Sequence, residues 1–560
     1  MSRVAAIILA SCLMLDSVPS EAAPSDDFRI ANLPGLATQP GFASFAGYLP
    51  VTESKSADPS KSDRMFFWLF ESQTSPATDP LVIWLSGGPG CSSISAMFEE
   101  NGPLTLKHDQ TVATTNHGWN QRANVLYVDQ PLQTGLSYSG DGRFLNSQAA
   151  VNADFYVFLE KFLTAFPQYQ GRKVFITGES YAGHFIPAIA TYILGKQGTA
   201  GAIDVNLAGL AIGNGWIDPR THIEAAPTVA YAAGVINHKQ ADAATSLVEG
   251  AVKQKGVTGN LSLEKPKDEK PIEIDTSAMM APYAGITLPP ALESNTKAQA
   301  LVALFAPYKG KIVAVTFSNR DFIALTDILR TGPKELADLL PPSIKVQLAG
   351  KSGAQLIFNY LIARVVSFTS DAEGNSVNLM DLLNYGPVSM IGTPTAWPPS
   401  DDAFNKYMVR PDVLKALHAE SYGTRPFMAC NPLTYFHLGD DYFKSTAYLL
   451  PSLLRKMPVL IYNGQDDLIA SSLSAQRMLN GIAAEAGTDW PGKADYAAAP
   501  FLPWDLNGER VGYSQSAGNL QFLGVLRASH MVPLSVPLVA QSMIGRFVHG
   551  EPIVQSTSAK

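Results

Sequence analysis

The chain has 560 residues, of which 46% are hydrophobic and 16% charged, with a formal net charge of −8 at pH 7. This composition excludes a disordered or collagen-like chain, and the acidic balance argues against nucleic acid as a partner, because that partner would need a basic surface. A chain of this length can form about two to four domains, or one large α/β domain with an insertion.

The N-terminus has the pattern of a secretory signal peptide. Arg3 precedes an apolar run over residues 4–15, and small residues ending at Ala22 provide a cleavage site. The run is too short for a transmembrane helix, which needs roughly 20 apolar residues. We therefore predict that residues 1–22 are removed and that the mature chain begins near Ala23.

A bacterial lipoprotein signal is the alternative interpretation of this segment. Leu9–Cys12 resembles a lipoprotein cleavage box, but it lies early and the apolar run continues past the cysteine, so we favour simple export over a lipid anchor at Cys12. No later segment of the sequence has the length and apolar character of a membrane span.

Export changes the interpretation of the three cysteines. Cys12 leaves with the signal peptide, and Cys91 and Cys430 remain in a compartment that permits disulfides. A disulfide between them and two buried free thiols are both open on composition alone.

Strand and helix patterns alternate along the chain in two blocks. The first block contains, in chain order, the strands Met65–Leu69, Leu81–Leu85 and Val125–Val128, the helix Gln148–Phe166, the strand Lys173–Thr177, the helix His184–Leu194 and the strand Leu207–Ile212. The second contains a helix beginning near Ala447, the strand Val459–Tyr462, the helix Ser471–Leu479, the strand Leu520–Val525 and the helix Val536–Val548. This alternation predicts a mostly parallel sheet with helices on both faces.

Between the blocks, over residues 219–397, the alternation breaks down. This stretch contains the Lys-rich, Pro-containing segment Val248–Pro271 and helix-like segments such as Asn295–Phe305. We predict an inserted, largely helical cap. The predicted organisation is a signal peptide over 1–22, a first core part over 23–218, the cap over 219–397 and a second core part over 398–560.

The first chemical signal is a serine placed between a strand and a helix. The strand before it runs into Gly178-Glu179-Ser180-Tyr181-Ala182-Gly183, and a helix-forming run follows. This setting is typical of a nucleophilic serine held on a sharp turn. Small residues at 178, 182 and 183 favour tight packing of that turn, although Ala182 stands where the Gly-x-Ser-x-Gly pattern has its second glycine.

A second serine segment has a superficially similar pattern, Gly135-Leu136-Ser137-Tyr138-Ser139. Gly140-Asp141-Gly142 follows at once and would break the helix that a nucleophile turn needs. We interpret this segment as a structural loop and Ser180 as the candidate nucleophile.

A serine nucleophile needs a base and an acid that orients the base, and in the α/β-hydrolase arrangement the chain order is serine, acid, histidine. His530 lies in a loop before the last predicted helix, where the base is expected, whereas His549 lies at the end of that helix, where a histidine complements the helix dipole. Asp466 and Asp467 both follow the strand Val459–Tyr462, and spacing alone allows either as the acid.

Acyl transfer also needs donors for the developing oxyanion. After the strand Leu81–Leu85 comes a glycine-rich turn, Ser86-Gly87-Gly88-Pro89-Gly90-Cys91-Ser92-Ser93, which can aim backbone N–H groups at an oxygen. The turn lacks the lysine of a phosphate-binding loop. A tight turn without a catalytic role is the alternative interpretation.

Taken together, these blocks resemble the serine carboxypeptidase family. They are specific, occur in the family's order and span nearly all of the chain outside the signal and the cap. The segments that carry the resemblance are Trp84–Ser93, Trp119-Asn120, Asp129-Gln130-Pro131, Gly135–Ser139, Gly178–Gly183, Ile212–Gly215, Gly464–Asp467 and His530–Pro533.

The resemblance implies an α/β-hydrolase core with an inserted cap, a secreted, periplasmic or lysosome/vacuole-like location, and removal of C-terminal residues from peptides at acidic pH. It matches the nucleophile to Ser180, the acid to Asp467 and the base to His530. It places the oxyanion hole at the backbone N–H groups of Gly88 and Tyr181. It also implies a disulfide between the two remaining cysteines, Cys91 and Cys430.

In this family an asparagine, a backbone glycine and two glutamates hold the terminal carboxylate of the substrate. The resemblance matches Gly87 to the glycine and Glu100 and Glu179 to the glutamates, while Ser86 occupies the place of the asparagine. The shorter serine hydroxyl replaces an amide donor at this position. This departure from the family pattern puts carboxylate recognition, and with it strict exopeptidase activity, in question.

The predicted function is hydrolysis of peptide or protein C-termini through an acyl-enzyme, with no metal and no cofactor implied. An acyltransferase or esterase that uses the same acyl-enzyme is one alternative, and a non-catalytic binding relative is another. The sequence leaves open whether the chain forms a homodimer.

Overall fold

A computed structural model of the chain describes residues 24–51, 61–253, 299, 375–387 and 401–554, except positions 424, 426, 440, 485 and 486. The predicted signal peptide with Cys12, and most of both the Lys-rich segment and the helix-like segment Asn295–Phe305, lie outside the described residues. The domain boundaries therefore stay predictions.

The described strands form a ten-stranded sheet and two small two-stranded sheets. In chain order the strands are β1 (Ser44–Pro50), β2 (Arg64–Phe70), β3 (Leu81–Leu85), β4 (Leu104–Leu106), β5 (Val112–Thr114), β6 (Asn124–Asp129), β7 (Val174–Glu179), β8 (Leu207–Gly213), β9 (Asn375–Asn378), β10 (Asp381–Pro387), β11 (Val459–Gly464), β12 (Leu502–Leu506), β13 (Glu509–Ala517) and β14 (Leu520–Val525). The order across the large sheet is β1-β2-β6-β3-β7-β8-β11-β14-β13-β12.

The centre of the large sheet is parallel and its two margins are antiparallel. The strands β6, β3, β7, β8, β11 and β14 are neighbours and all parallel. The pairs β1 with β2, β2 with β6, β13 with β14 and β12 with β13 are antiparallel. The predicted α/β fold with a mostly parallel sheet is confirmed.

Helices cover both faces of this sheet. The helices of the described residues are Ser93–Ala96, which continues into the π-helical turn Met97–Asn101, and then Gln148–Ala165, Ala182–Lys196, Pro219–Ala232, His238–Lys253, Asp401–Met408, Pro411–Ala416, Pro432–His437, Leu450–Leu454, Ser472–Ala484, Lys493–Tyr496, Val532–Ser535 and Pro537–His549. No helix within the described ranges is both long enough and apolar enough to cross a membrane.

Two hydrophobic cores lie on the two faces of the sheet, and β2 contributes to both. Phe67 and Leu69 belong to one core, while Phe66, Trp68 and Phe70 belong to the other. Because both faces are covered, such strands appear in the sequence as continuous apolar runs rather than as alternating patterns. This is why the sequence predicts the central strands within a residue or two of their ends.

Part of the predicted cap is described. It comprises the helices Pro219–Ala232 and His238–Lys253 and the hairpin formed by β9 and β10.

The carboxyl ends of the parallel strands bring five loops to one edge of the sheet. The register pairs Leu85 of β3 with Gly178 of β7, Glu179 with Gly213 of β8, and Gly464 of β11 with Val525 of β14. Ligand and catalytic sites of parallel α/β sheets form at this edge. The candidate serine, acid, base and oxyanion turn all follow these strands.

Candidate active site

Ser180 lies on a sharp turn between β7 and the helix Ala182–Lys196, as the sequence predicts. Its φ of +61° places it in the left-handed region, which is unusual for a serine. Two backbone donors fix the turn, because the carbonyl of Ser180 accepts hydrogen bonds from Gly183 N at 2.9 Å and Trp216 N at 2.7 Å. The backbone strain is thus held in place by the surrounding structure, as is common at functional sites.

Close packing explains the small residue that begins this turn. A Cβ atom on Gly178 would lie 2.1 Å from Leu85 O of β3 and 2.8 Å from the Cβ of Ala182. Only glycine fits at this position without displacing backbone. The turn therefore lies directly beside the end of β3, where the glycine-rich turn begins.

The structure brings the candidate acid and base into contact. His530 Nδ1 lies 2.7 Å from Asp467 Oδ2, and both side chains are buried. The Asp467 carboxylate also accepts hydrogen bonds from the backbone N–H of Ile469 at 2.8 Å and of Ala470 at 3.2 Å. A carboxylate held by this many donors is fixed in position and orients the imidazole.

Asn214 also contacts the Asp467 carboxylate, and its role was not predicted from the sequence. Its Nδ2 donates to Asp467 Oδ2 at 2.8 Å, and its Oδ1 accepts from Gly464 N at 2.9 Å. The signal that could have found it is a polar residue directly after β8, at the edge where the other candidates follow their strands.

Asp466 points to a different environment from that of its neighbour. Its backbone carbonyl accepts from Leu382 N at 2.8 Å, and its side chain is only partly buried. Burial and the nearby Asp381 carboxylate raise the pKa of Asp466 above its usual value. Of the two aspartates that spacing allowed, the structure places Asp467 against His530.

The pKa of the candidate base, His530, is shifted by the groups around it. Burial lowers the pKa of His530, but the charge and hydrogen bond of Asp467, with the charge of Glu179, outweigh burial and leave that pKa above its ordinary value. The other ring nitrogen, Nε2, is buried and has no hydrogen-bond partner among the described residues. The structure thus forms the acid–base contact but no hydrogen bond between Nε2 and the Ser180 hydroxyl. In the absence of substrate, a catalytic hydrogen bond of this kind is often long and tightens only when substrate binds.

The glycine-rich turn lies against the serine turn. A Cβ on Gly87 would lie 2.5 Å from Tyr181 N and 2.6 Å from the Cβ of Ser180. Among the described residues, no acceptor pairs with the backbone N–H groups of Gly88 and Tyr181. Two unpaired N–H groups beside the serine are what an oxyanion hole requires.

A disulfide fixes the glycine-rich turn to a distant segment. Cys91 and Cys430 are bonded, with an S–S distance of 2.02 Å. Backbone hydrogen bonds flank the bridge, from Ser92 N to Ala429 O at 2.7 Å and from Asn431 N to Gly90 O at 2.8 Å. The turn that carries Gly88 is therefore anchored on both sides of the cysteine.

Thiol titration checks this bridge in the protein itself. The bridge closes a loop with a sequence separation of 339, for which the chain-entropy model gives an upper limit of roughly 5 kcal/mol of stabilisation. The unfolded, unreduced chain lacking residues 1–22 should contain no free thiol, and Cys91→Ser should lower the unfolding temperature markedly. Two free thiols in the unreduced chain would contradict the bridge.

Two buried carboxyl groups lie beside the serine turn. Glu100 is 3% exposed and Glu179 is 5% exposed, and a hydrogen bond joins them. Burial raises the pKa of Glu100 well above its usual value, and the Glu179 charge raises it further. Burial likewise raises the pKa of Glu179. One oxygen of each, Oε2, is buried and has no hydrogen-bond partner among the described residues, so each carboxyl group retains an unused hydrogen-bonding position.

Ser86 is buried at the start of the glycine-rich turn. Its hydroxyl accepts from Trp84 Nε1 at 3.1 Å, and its backbone N–H donates to Ser93 Oγ at 3.0 Å. Because a hydroxyl both accepts and donates, its proton remains available for a second partner.

The second serine segment and the second candidate histidine both have structural roles. Ser137 is buried, its hydroxyl donates to the backbone carbonyl of Asp129, and no helix follows it. His549 Nε2 lies 2.9 Å from the carbonyl of Arg122 at the end of the last helix. Among the described residues, neither is hydrogen-bonded to Ser180, Asp467 or His530.

Comparison with known proteins gives a consistent result. The family model described as serine carboxypeptidase matches residues 34–550. A pheromone-processing carboxypeptidase KEX1 of Podospora anserina is 30% identical over 495 residues, which cover 88% of this chain and 69% of that protein. The pheromone-processing carboxypeptidase KEX1 of Tuber melanosporum is 27% identical over 547 residues, covering 97% of this chain and 72% of the relative.

A solved structure shares the fold. The crystal structure of KEX1(delta)p, a prohormone-processing carboxypeptidase from Saccharomyces cerevisiae, matches with a TM-score of 0.66 and 24% identity. The match covers 94% of this chain and 96% of the other.

Proposed function

This chain belongs to the serine carboxypeptidase family, and we propose that it releases C-terminal residues from peptides through an acyl-enzyme on Ser180. The observation that carries the proposal is the juxtaposition of two groups of residues at one sheet edge. One is the hydrogen-bonded pair of Asp467 and His530. The other is the buried carboxyl pair of Glu100 and Glu179, each with one oxygen that has no hydrogen-bond partner among the described residues, and Glu179 directly precedes the serine.

In the first step, His530 Nε2 takes the proton of the Ser180 hydroxyl as its oxygen attacks the scissile carbonyl. Asp467 holds the imidazole through Nδ1 and stabilises the imidazolium that forms. The imidazolium then gives its proton to the leaving amine, and the C–N bond breaks. Water, deprotonated by the same histidine, attacks the acyl-enzyme and releases the shortened peptide.

Backbone donors stabilise the charge that develops on the carbonyl oxygen. The N–H groups of Gly88 and Tyr181 are unpaired among the described residues, and their turns are held by the disulfide and by the helix that follows the serine. Removing one such donor from an enzyme of this type costs roughly 10²- to 10³-fold in kcat.

Recognition of the substrate's terminal carboxylate falls to Ser86, Gly87, Glu100 and Glu179. A protonated carboxyl group can donate a hydrogen bond to a carboxylate, whereas an ionised one repels it. The raised pKa values of Glu100 and Glu179 favour the protonated forms at acidic pH. This supports stronger recognition of a free C-terminal carboxylate in acid, over the part of the pH range in which His530 stays unprotonated.

The pH dependence of substrate preference tests that assignment. Across about pH 4 to 8, the ratio of kcat/KM for a free-acid peptide to kcat/KM for the matching C-terminal amide should fall as pH rises, because Glu100 and Glu179 lose their protons through raised pKa values. The change should appear mainly in KM of the free acid. Activity on both substrates should also decline toward low pH as His530 is protonated. A ratio that stays constant with pH would contradict the role of the glutamates.

Ser86 offers a second test of carboxylate recognition. Ser86→Asn should raise kcat/KM for free-acid peptides roughly ten- to a hundredfold, because a hydrogen bond to a charged group is worth about 1.5 to 3 kcal/mol. The matched amides should change little. If both substrates respond equally, or if the larger side chain only lowers the unfolding temperature, Ser86 has no part in carboxylate recognition.

A substrate panel distinguishes the proposed reaction from its alternatives. Blocked dipeptides, their C-terminal amides and activated esters are compared, with and without a small alcohol as acceptor. Release of the C-terminal residue from the free acid supports a carboxypeptidase, and ester formation with the alcohol as the main product would indicate an acyltransferase. Absence of turnover on all three would favour a binding relative.

For the location, we propose export of the chain after removal of residues 1–22. The support is the signal-peptide pattern and the bridge between Cys91 and Cys430, since disulfides persist in oxidising compartments. All the proposed site residues come from one chain, so a homodimer is compatible with the proposal and not required by it.

A further inference from the structure

The hairpin β9–β10 lies against both loops that carry the candidate acid and base. Its turn residues donate or accept three backbone hydrogen bonds to those loops: Leu468 N donates to Leu379 O at 2.9 Å, His530 N donates to Met380 O at 2.8 Å, and Leu382 N donates to Asp466 O at 2.8 Å. Two of these partners directly flank Asp467, and the third is His530 itself.

The hairpin is anchored rather than merely adjacent. The side chain of Leu379 is fully buried and belongs to the hydrophobic core that also contains Leu468. The two catalytic loops are tied to each other as well, by a hydrogen bond from Asp466 N to Ala528 O at 2.9 Å. The hairpin adds a second tie, which comes from the stretch that the sequence predicts as an insertion.

Asn378 shapes the turn that makes these contacts. Its side chain is fully buried, and its Oδ1 accepts from Met380 N at 3.0 Å. An asparagine that accepts from the N–H two residues on forms a local turn and fixes the direction of the carbonyls within it. Those carbonyls, of Leu379 and Met380, are the ones that hold Leu468 and His530.

We propose that the hairpin β9–β10 is a positioning element of the active site, and that Asn378 is its positioning residue. The turn holds the Asp467 loop and the His530 loop in the mutual register at which Nδ1 and Oδ2 lie 2.7 Å apart. This inference rests on the proposed function, because it needs Asp467 and His530 to act as acid and base. A displacement of about 1 Å between catalytic groups can cost 10²-fold in rate.

The test uses Asn378→Ala in the full chain, with an activated ester as substrate and a fluorophosphonate as a probe of serine reactivity. We expect kcat and the labelling rate constant of the serine to fall roughly ten- to a hundredfold, with KM little changed. Asn378→Ser should recover most of both rates, since a serine hydroxyl can accept from the same N–H. A role in stability alone would lower the unfolding temperature without this split between kcat and KM.

Asn384→Ala is the matched control. It makes the same chemical change in the same hairpin, at an exposed asparagine whose side chain donates to Asp381 Oδ2. It should leave kcat and the labelling rate at the wild-type values. An Asn378→Ala protein that folds and retains wild-type kcat and labelling would overturn the positioning role.

If Asn378→Ala does not fold, amide hydrogen exchange of the wild-type protein tests the contacts between the hairpin and the two loops instead. The N–H groups of Leu468 and His530 should exchange slowly and together with the hairpin, and fast exchange at both would overturn the proposal.

The wild-type assays show which of the two proposals has failed. If the wild-type protein is active and labelled and the Asn378→Ala variant behaves like it, only the role of the hairpin is refuted. An inactive, unlabelled wild type refutes the proposed function and the inference with it.

Discussion

Replacing Ser180 by alanine should abolish release of C-terminal residues, with kcat reduced on the order of 10⁴- to 10⁶-fold. The variant loses the attacking oxygen, so no acyl-enzyme can form, although the oxyanion donors and the binding site remain. Because Ser180 is only partly buried and the hydrogen bonds that fix its turn come from its backbone, the unfolding temperature should stay close to that of wild type. Steady-state hydrolysis of a blocked dipeptide and thermal unfolding measure the two effects.

His530→Ala and the double variant provide the control for this result. The serine and the histidine act as a unit, so removing both should cost little more than removing either one. Additive losses would show that the two side chains act independently and would contradict the proposed mechanism.

Replacing Asp467 by asparagine should reduce kcat on the order of 10⁴-fold. The Asp467 carboxylate accepts hydrogen bonds from His530 Nδ1, Asn214 Nδ2 and the backbone N–H groups of Ile469 and Ala470. An amide has only one acceptor oxygen, so at least one donor must face its NH₂ group. Where the NH₂ group faces His530 Nδ1, the imidazole loses its tautomer. In either orientation the neutral amide does not stabilise the imidazolium as the carboxylate does, so the serine loses an effective base.

Asp466→Asn is the matched control for this substitution. It makes the same change one residue away, at a carboxyl group that the structure does not bring to His530, so activity should remain close to that of wild type. Measuring kcat and the unfolding temperature of both variants decides between the aspartates. If Asp466→Asn proves the costlier change, Asp467 is not the acid.

The central strands could be predicted from the sequence because their physical signal is local. β3 and β14 have the predicted bounds, since both are continuous apolar runs in a covered parallel sheet. β1 was missed because Gly47 and Pro50 resemble strand breakers, and its stability comes from antiparallel pairing with β2. β12 and β13 were also missed, because polar residues interrupt the apolar pattern in both.

The candidate site, like the fold, could be predicted only in part from the sequence. Ser180 and His530 follow from short motifs at strand ends, and the structure places them at one edge of the sheet. The choice between Asp466 and Asp467 could not be made from spacing. It depends on which of the two side chains contacts His530, a residue 63 positions after Asp467 in the sequence. The family resemblance selected Asp467, whose carboxylate is the one that contacts His530; its role as the acid stays a prediction.

Long-range contacts account for what the sequence could not predict. The role of Asn214 depends on a carboxylate 253 positions further along the chain. The hairpin β9–β10 lies in a stretch without a clear sequence pattern, and the role proposed for it rests on three backbone hydrogen bonds, which do not depend on residue type. Backbone contacts of this kind are seen only in three dimensions.

The most direct test of Ser180 as the nucleophile of a carboxypeptidase is a single mass-spectrometric experiment on the purified protein. A peptide with a free C-terminus is incubated with the enzyme before and after fluorophosphonate treatment, and both the peptide products and the adduct are mapped. We expect a ladder of products shortened one residue at a time from the C-terminus, lost in proportion to a single adduct on Ser180. Internal cleavage, an adduct on another serine such as Ser137, or a ladder that persists after complete modification of Ser180 would contradict the proposed function.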